Sequence, residues 1–136
     1  MEYVEIDDRI VIRLDYGDDI MECLERLRSE AEISGGFFSG IGALDRVTLG
    51  HYDPESEEYT ERDFEGQYEV TAFLGTIRNK RIHAHITCAA SNFETIGGHF
   101  SGGRVSGIFE IIVHRASLEE LPDDPRTGLE ILENPS

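Results

Sequence analysis

Apolar and polar positions alternate in short steps over residues 2–14, with Tyr3, Val4 and Ile6 followed by Ile10, Val11, Ile12 and Leu14. Asp7-Asp8 punctuates them, so the pattern predicts two strands joined by a turn. The period then changes. Ile20, Leu24, Leu27 and Ala31 recur at spacings of four, three and four, which is one face of an amphipathic helix. Asp18 or Asp19 supplies its N-cap; with Asp19 at the cap, Glu22 stands where a capping box closes. Ser34-Gly35-Gly36 is expected to stop the helix. Strand signals follow one another from Phe37 onward: residues 37–42 leading into 46–52, then 67–77, 81–89 and 104–114. Residues 53–58 and 78–80 read as turns, and the tail as a proline-marked loop with a short apolar end at 129–132. One main amphipathic helix against many strands that read as mostly antiparallel makes an α+β fold. The length fits a single domain spanning 1–136.

Charge changes the picture of what such a domain meets. Asp and Glu number 28 against 12 Lys and Arg, for a net charge of -16. Lys80 is the sole lysine. Acid excess with arginine in place of lysine predicts a halophilic archaeon as the source, because molar salt screens the self-repulsion of such a surface. The same surface is a poor general match for DNA or anionic membranes. No apolar run approaches the roughly 20 residues of a membrane helix. The first residues lack the basic and apolar stretches of a signal peptide, so a cytoplasmic location is expected. Cys23 and Cys88 form no metal or redox motif and read as buried, reduced thiols.

The chemistry gathers in Arg81-Ile82-His83-Ala84-His85-Ile86-Thr87-Cys88. Strand alternation puts Ile82, Ala84, Ile86 and Cys88 on one apolar face and His83, His85 and Thr87 on the other. Two imidazoles so placed can lean onto one ion, and Cys88 is excluded as a ligand. A third histidine, His99, follows Gly97-Gly98, read as a tight turn that aims it, and the short loop between brings it back beside the first pair. Three neutral imidazoles form a catalytic-type zinc site if the fourth position stays open, or a closed one if a carboxylate completes it; another divalent transition metal also suits them. Glu69 and Glu110 interrupt apolar strands; they read first as solvent-facing acids on half-buried strands, and alternatively as fourth ligand, ligand partner or catalytic general base near the metal. His51 and His114 stand alone and read as surface or core residues. Arg78, Lys80 and Arg81 form the one tight basic cluster and are the candidate nucleic-acid contacts. No serine or cysteine nucleophile motif, P-loop, helix-turn-helix or zinc finger is visible.

The order of these motifs resembles the plants-and-prokaryotes-conserved (PPC) domain family. Gly17-Asp18-Asp19-Ile20, Gly40-Ile41-Gly42-Ala43-Leu44, Tyr68-Glu69-Val70 with Gly75-Thr76-Ile77, and His83-Ala84-His85 followed by Gly97-Gly98-His99-Phe100 carry the resemblance. Phe109-Glu110-Ile111-Ile112 and Thr127-Gly128-Leu129 continue it. It implies an α+β fold with short flanking helices on a mostly antiparallel sheet that assembles as a homotrimer, a metal site at His83, His85 and His99 with zinc as the favoured ion, and a regulatory or DNA-associated role of unsettled biochemistry. The fold it implies is also similar to acetolactate decarboxylase, so the alternative is a zinc-dependent enzyme acting on a small carbonyl or carboxylate substrate. These 136 residues hold no AT-hook of the kind that precedes the domain in plants, so minor-groove binding through one is not expected of them. Residues 91–95 (Ser-Asn-Phe-Glu-Thr) replace the family's more usual Asp/Gly-rich turn.

Overall fold

The computed structural model describes residues 1–78, 81–118 and 125–127. Lys80 and the predicted tail end at 129–132 lie outside the described residues. The elements are β1 (Glu2–Ile6), β2 (Arg9–Leu14), α1 (Ile20–Glu30), β3 (Gly35–Asp53), β4 (Glu58–Arg78), β5 (Ile82–Ala89) and β6 (Thr95–Arg115). α1 is the one helix among the described residues, so the short flanking helices have no counterpart there.

All pairings are antiparallel, in the order β1-β2-β6-β3-β4-β5, and β5 pairs in addition with β6. The last pairing closes β3, β4, β5 and β6 into a barrel-like ring. Apolar side chains of alternate strand positions fill its inside. Phe73, fully buried, touches the rings of Phe38, Phe100 and Phe109 at centroid distances of 5.1, 4.9 and 5.5 Å. α1 adds Ile20, Cys23, Leu24 and Leu27 to this core.

Asp19 caps α1 as expected, accepting a hydrogen bond from the Glu22 N–H at 3.0 Å. The helix ends earlier than the Ser34-Gly35-Gly36 stop, at Glu30 with Ala31 as C-cap. Glu32 takes the left-handed conformation (φ 49°), and the N–H groups of Ile33 and Glu32 reach back to the carbonyls of Arg28 and Ser29. This is the ending that glycine usually makes, made here by a glutamate. Gly35 and Gly36 belong to β3. A Cβ on them would stand 2.4 and 2.6 Å from the carbonyl oxygens of Ala116 and His114, so their smallness serves the approach of β3 to β6.

Three strands are far longer than the patterns predicted: 19 residues for β3 and 21 each for β4 and β6. Register shifts at Gly40/Gly42 and Leu44/Arg46 break the alternation of β3 without ending its ladder. The first part of β4, Glu58 to Glu65, is exposed apart from half-buried Phe64, so it carries no apolar signal.

The outward face is apolar across several strands. Val4, Val11, Ile112, Ser39, Leu74 and His85 stand opposite one another in successive pairings. Directly opposed residues project to the same face. Phe37, Ile41, Leu74 and Ile112 on this side are 53, 56, 56 and 41% exposed.

Candidate metal centre

β5 alternates as its sequence predicts: Ile82, Ala84, Ile86 and Cys88 are buried, while His83 and His85 face outward. His99 reaches them because β6 pairs with two strands at that residue. It stands opposite His85 of β5 and Gly50 of β3. Gly97 and Gly98 are part of β6, not a turn. A Cβ on Gly97 would lie 2.8 Å from the Ile86 carbonyl oxygen, and one on Gly98 would lie 3.0 Å from that of Gly50. The two glycines let β6 fit tightly between its neighbours where the third histidine is needed.

The ring centroids are 5.0 Å apart for His83–His85, 5.2 Å for His83–His99 and 5.8 Å for His85–His99. One nitrogen from each ring lies within 4.8 Å of the other two. With bonds of about 2.0–2.1 Å in a tetrahedral arrangement, the nitrogens would sit ~3.4 Å apart, which side-chain movements of under about 1 Å achieve. The donor set therefore fits a divalent transition ion. His83 and His99 are half-buried and His85 is exposed, so the side of the triangle away from the sheet faces outward.

The electrostatics keep the ligands neutral. Burial, followed by the charges of Arg81, His99, His85 and Arg78, pushes His83 down to about 4. His99 is lowered chiefly by burial, then by His85 and Arg81, with Glu61 acting in the opposite direction. A neutral imidazole is the form that binds metal. Burial raises Cys23 and pushes Cys88 up to about 11, and both are free thiols.

The structure does not bring the other predicted residues to this centre. Glu69 stands opposite Ala43 and Ala89. Ala89 is four residues beyond His85, or ~13 Å along the strand. Glu110 stands opposite Arg13 and Ile41, eleven residues along β6 from His99. Both glutamates are exposed. The guanidinium-bearing side chain of Arg78 is 3% exposed, so it is turned inward from the hairpin surface. Arg81 is half-buried and adds its charge to the histidine cluster. His51 is exposed, and His114 stacks on Phe37 at 4.9 Å.

Two neighbours of His99 carry no sequence signal. Tyr59 sets its ring perpendicular to the imidazole, at 5.8 Å and 87°. Glu61 stands opposite Gly50, on the far side of that glycine from His99. Both come from the polar start of β4, about forty residues away in the chain, and only the β3–β4 register places them here.

Residues 1–117 match the Plants and Prokaryotes Conserved (PCC) domain. A candidate DNA-binding protein from Bacteroides thetaiotaomicron superposes with a TM-score of 0.90 at 25% identity, covering 97% of this chain and 96% of that one. A metal-containing protein from Archaeoglobus fulgidus gives 0.81 at 25% identity, covering 98 and 97%. A Staphylococcus aureus protein of unknown function similar to alpha-acetolactate decarboxylase shares the fold more distantly, with a TM-score of 0.57 at 12% identity over 79% of this chain and 52% of that one. The bifunctional protein GlmU of a Synechococcus strain is 31% identical over 121 residues; the match takes in 86% of this chain but only 19% of that protein. With the match running from the first strand through the histidine motifs to the end of β6, this chain belongs to the Plants and Prokaryotes Conserved domain family.

Proposed function

We propose that this chain is a metal-binding module of the regulatory, DNA-associated kind, holding one divalent transition ion, preferentially zinc, on His83, His85 and His99. The convergence of three imidazole nitrogens from two strands within 4.8 Å carries this reading. The similarity to a metal-containing protein supports it. A -16 charge argues for DNA association through partners or a local patch that includes half-buried Arg81. The test is metal content per chain, measured on protein purified in high salt without chelator or nickel resin. About one ion per chain that is lost in the His83→Ala/His85→Ala double variant supports the reading. A wild type that takes up no zinc while folded overturns it.

The proposal includes assembly as a homotrimer through the apolar outer face. A cleft of about 730 Å³ on that face, lined by Val11, Ile41, Leu74 and Ile112 among others, has the character of a covered surface. Light scattering in high salt should give three times the chain mass, and Ile112→Glu should give the monomer. A monomeric wild type refutes this part.

The exposure of His85 favours a second reading, a metal-dependent enzyme. The ion would supply Lewis acidity to a small carbonyl or carboxylate compound reaching the outer side. The three histidines would hold the ion, with Arg81 favouring an anionic ligand beside it. Perturbation of the visible spectrum of the cobalt-loaded protein by acetate or pyruvate would support it; an unresponsive spectrum would count against it.

A further inference from the structure

The register leaves an unusual gap beside His99. Gly50 lies between His99 of β6 and Glu61 of β4, and all three positions project to the outer face. The gap is filled from a distance. Tyr59, diagonally across from Gly50, lays its phenol over the glycine; a Cβ on Gly50 would lie 2.0 Å from the Tyr59 hydroxyl oxygen and 2.5 and 2.6 Å from two ring carbons. The phenol thereby spans β3 and reaches β6, where its hydroxyl shares a hydrogen bond of 2.7 Å with Ser101 Oγ. Ser101 is two residues beyond His99 in β6, where the register with β3 shifts between Phe100 and Gly102. The Tyr59 and His99 rings stand perpendicular, with centroids 5.8 Å apart.

Two of the three histidines need no such support. His83 and His85 lie two apart on one regular strand, and its spacing alone brings their rings together. His99 comes from another strand, and the neighbour facing it on β3 is a glycine without a side chain. An aromatic ring packed perpendicular to the imidazole, with its hydroxyl tethered to the strand that carries it, removes rotamers that turn the imidazole away. We infer that Tyr59 is a positioning residue for the centre: seated across Gly50 and tethered to Ser101, it holds His99 in the orientation that meets His83 and His85. This rests on the reading of His99 as a ligand, and it explains why the strand between carries glycine.

The test uses the full chain and two readouts. Zinc affinity is measured by competition with a colorimetric chelator, and the χ1 couplings of His99 are measured by NMR on metal-free protein. Partners that orient a ligand histidine typically carry a 10–100-fold effect on affinity, so Tyr59→Ala should weaken zinc binding by about tenfold. Gly50→Ala should weaken it similarly, because the new methyl group occupies the seat of the phenol. The double variant should be no weaker than Tyr59→Ala alone, since the closest atoms to that methyl group all belong to Tyr59. Tyr59→Phe keeps the ring and loses the tether, so it should fall between wild type and Tyr59→Ala. The His99 couplings should move from single-rotamer values in the wild type to averaged values in Tyr59→Ala and Gly50→Ala.

Unchanged zinc affinity in Tyr59→Ala overturns the inference, as do losses that add in the double variant. If the wild type takes up no zinc, the reading of the centre fails. The couplings then decide the role of Tyr59 independently: a His99 rotamer indifferent to Tyr59→Ala refutes it.

Discussion

Protonating His83 should destabilise the metal-free fold, by an amount the structure sets. Its imidazole sits at about 4, with burial the leading cause, against 6.5 for the free side chain. Between those values the unfolded chain binds a proton that the folded chain does not. Stability from this residue is therefore fully present above pH 6.5 and is lost as pH falls towards 4. The full difference corresponds to about 3.4 kcal/mol at 1.36 kcal/mol per pH unit. The ring is only half-buried, and water reduces the figure to about 1–2 kcal/mol. The assay is urea unfolding of chelator-treated wild type and His83→Asn at pH 7, 5.5 and 4, at one protein concentration and in 1 M salt. The many carboxylates titrate in both proteins and cancel in the comparison. The wild type should lose about 1–2 kcal/mol more than the variant between pH 7 and pH 4. Equal losses would refute the placement of a half-buried neutral imidazole at this position.

Three further outcomes follow from the same structure. Zinc at a hundred times its dissociation constant should stabilise the wild type by about 2.7 kcal/mol and leave His83→Ala/His85→Ala unmoved, read from denaturation midpoints; a matching shift in the variant would place the ion elsewhere. Phe73→Ala empties the centre of a cluster of four phenylalanines and should cost about 3–5 kcal/mol in urea unfolding. Asp19→Ala removes the N-cap of α1 and should cost about 0.5–2 kcal/mol, with Asp19→Asn close to wild type; an Ala variant as stable as the wild type would show the cap bond to be idle.

What the sequence by itself determined is what depends on neighbours a few residues apart. The 3.6-residue period marked α1 and its buried face, and Asp19 marked the cap, because a helix is built from local contacts. Strict alternation on β5 separated the core face from His83 and His85, because a strand has only two sides. The glycine pair before His99 signalled close approach, although the chain is extended there rather than turned.

Only the tertiary structure decided which strands lie side by side, because register across a sheet is set by contacts between residues far apart in the chain. That register set His99 against both His85 and Gly50, and it carried Tyr59 and Glu61 to the centre from a stretch with no apolar pattern. It also carried Glu69 and Glu110 away, although their place in apolar strands had marked them. The turn reading put Arg78 among surface charges, but the fold draws its side chain inside at the end of β4. The strand lengths were hidden for the same reason: bulges break the alternation that a sequence displays, while the hydrogen-bonded ladder, held by partner strands, continues past them.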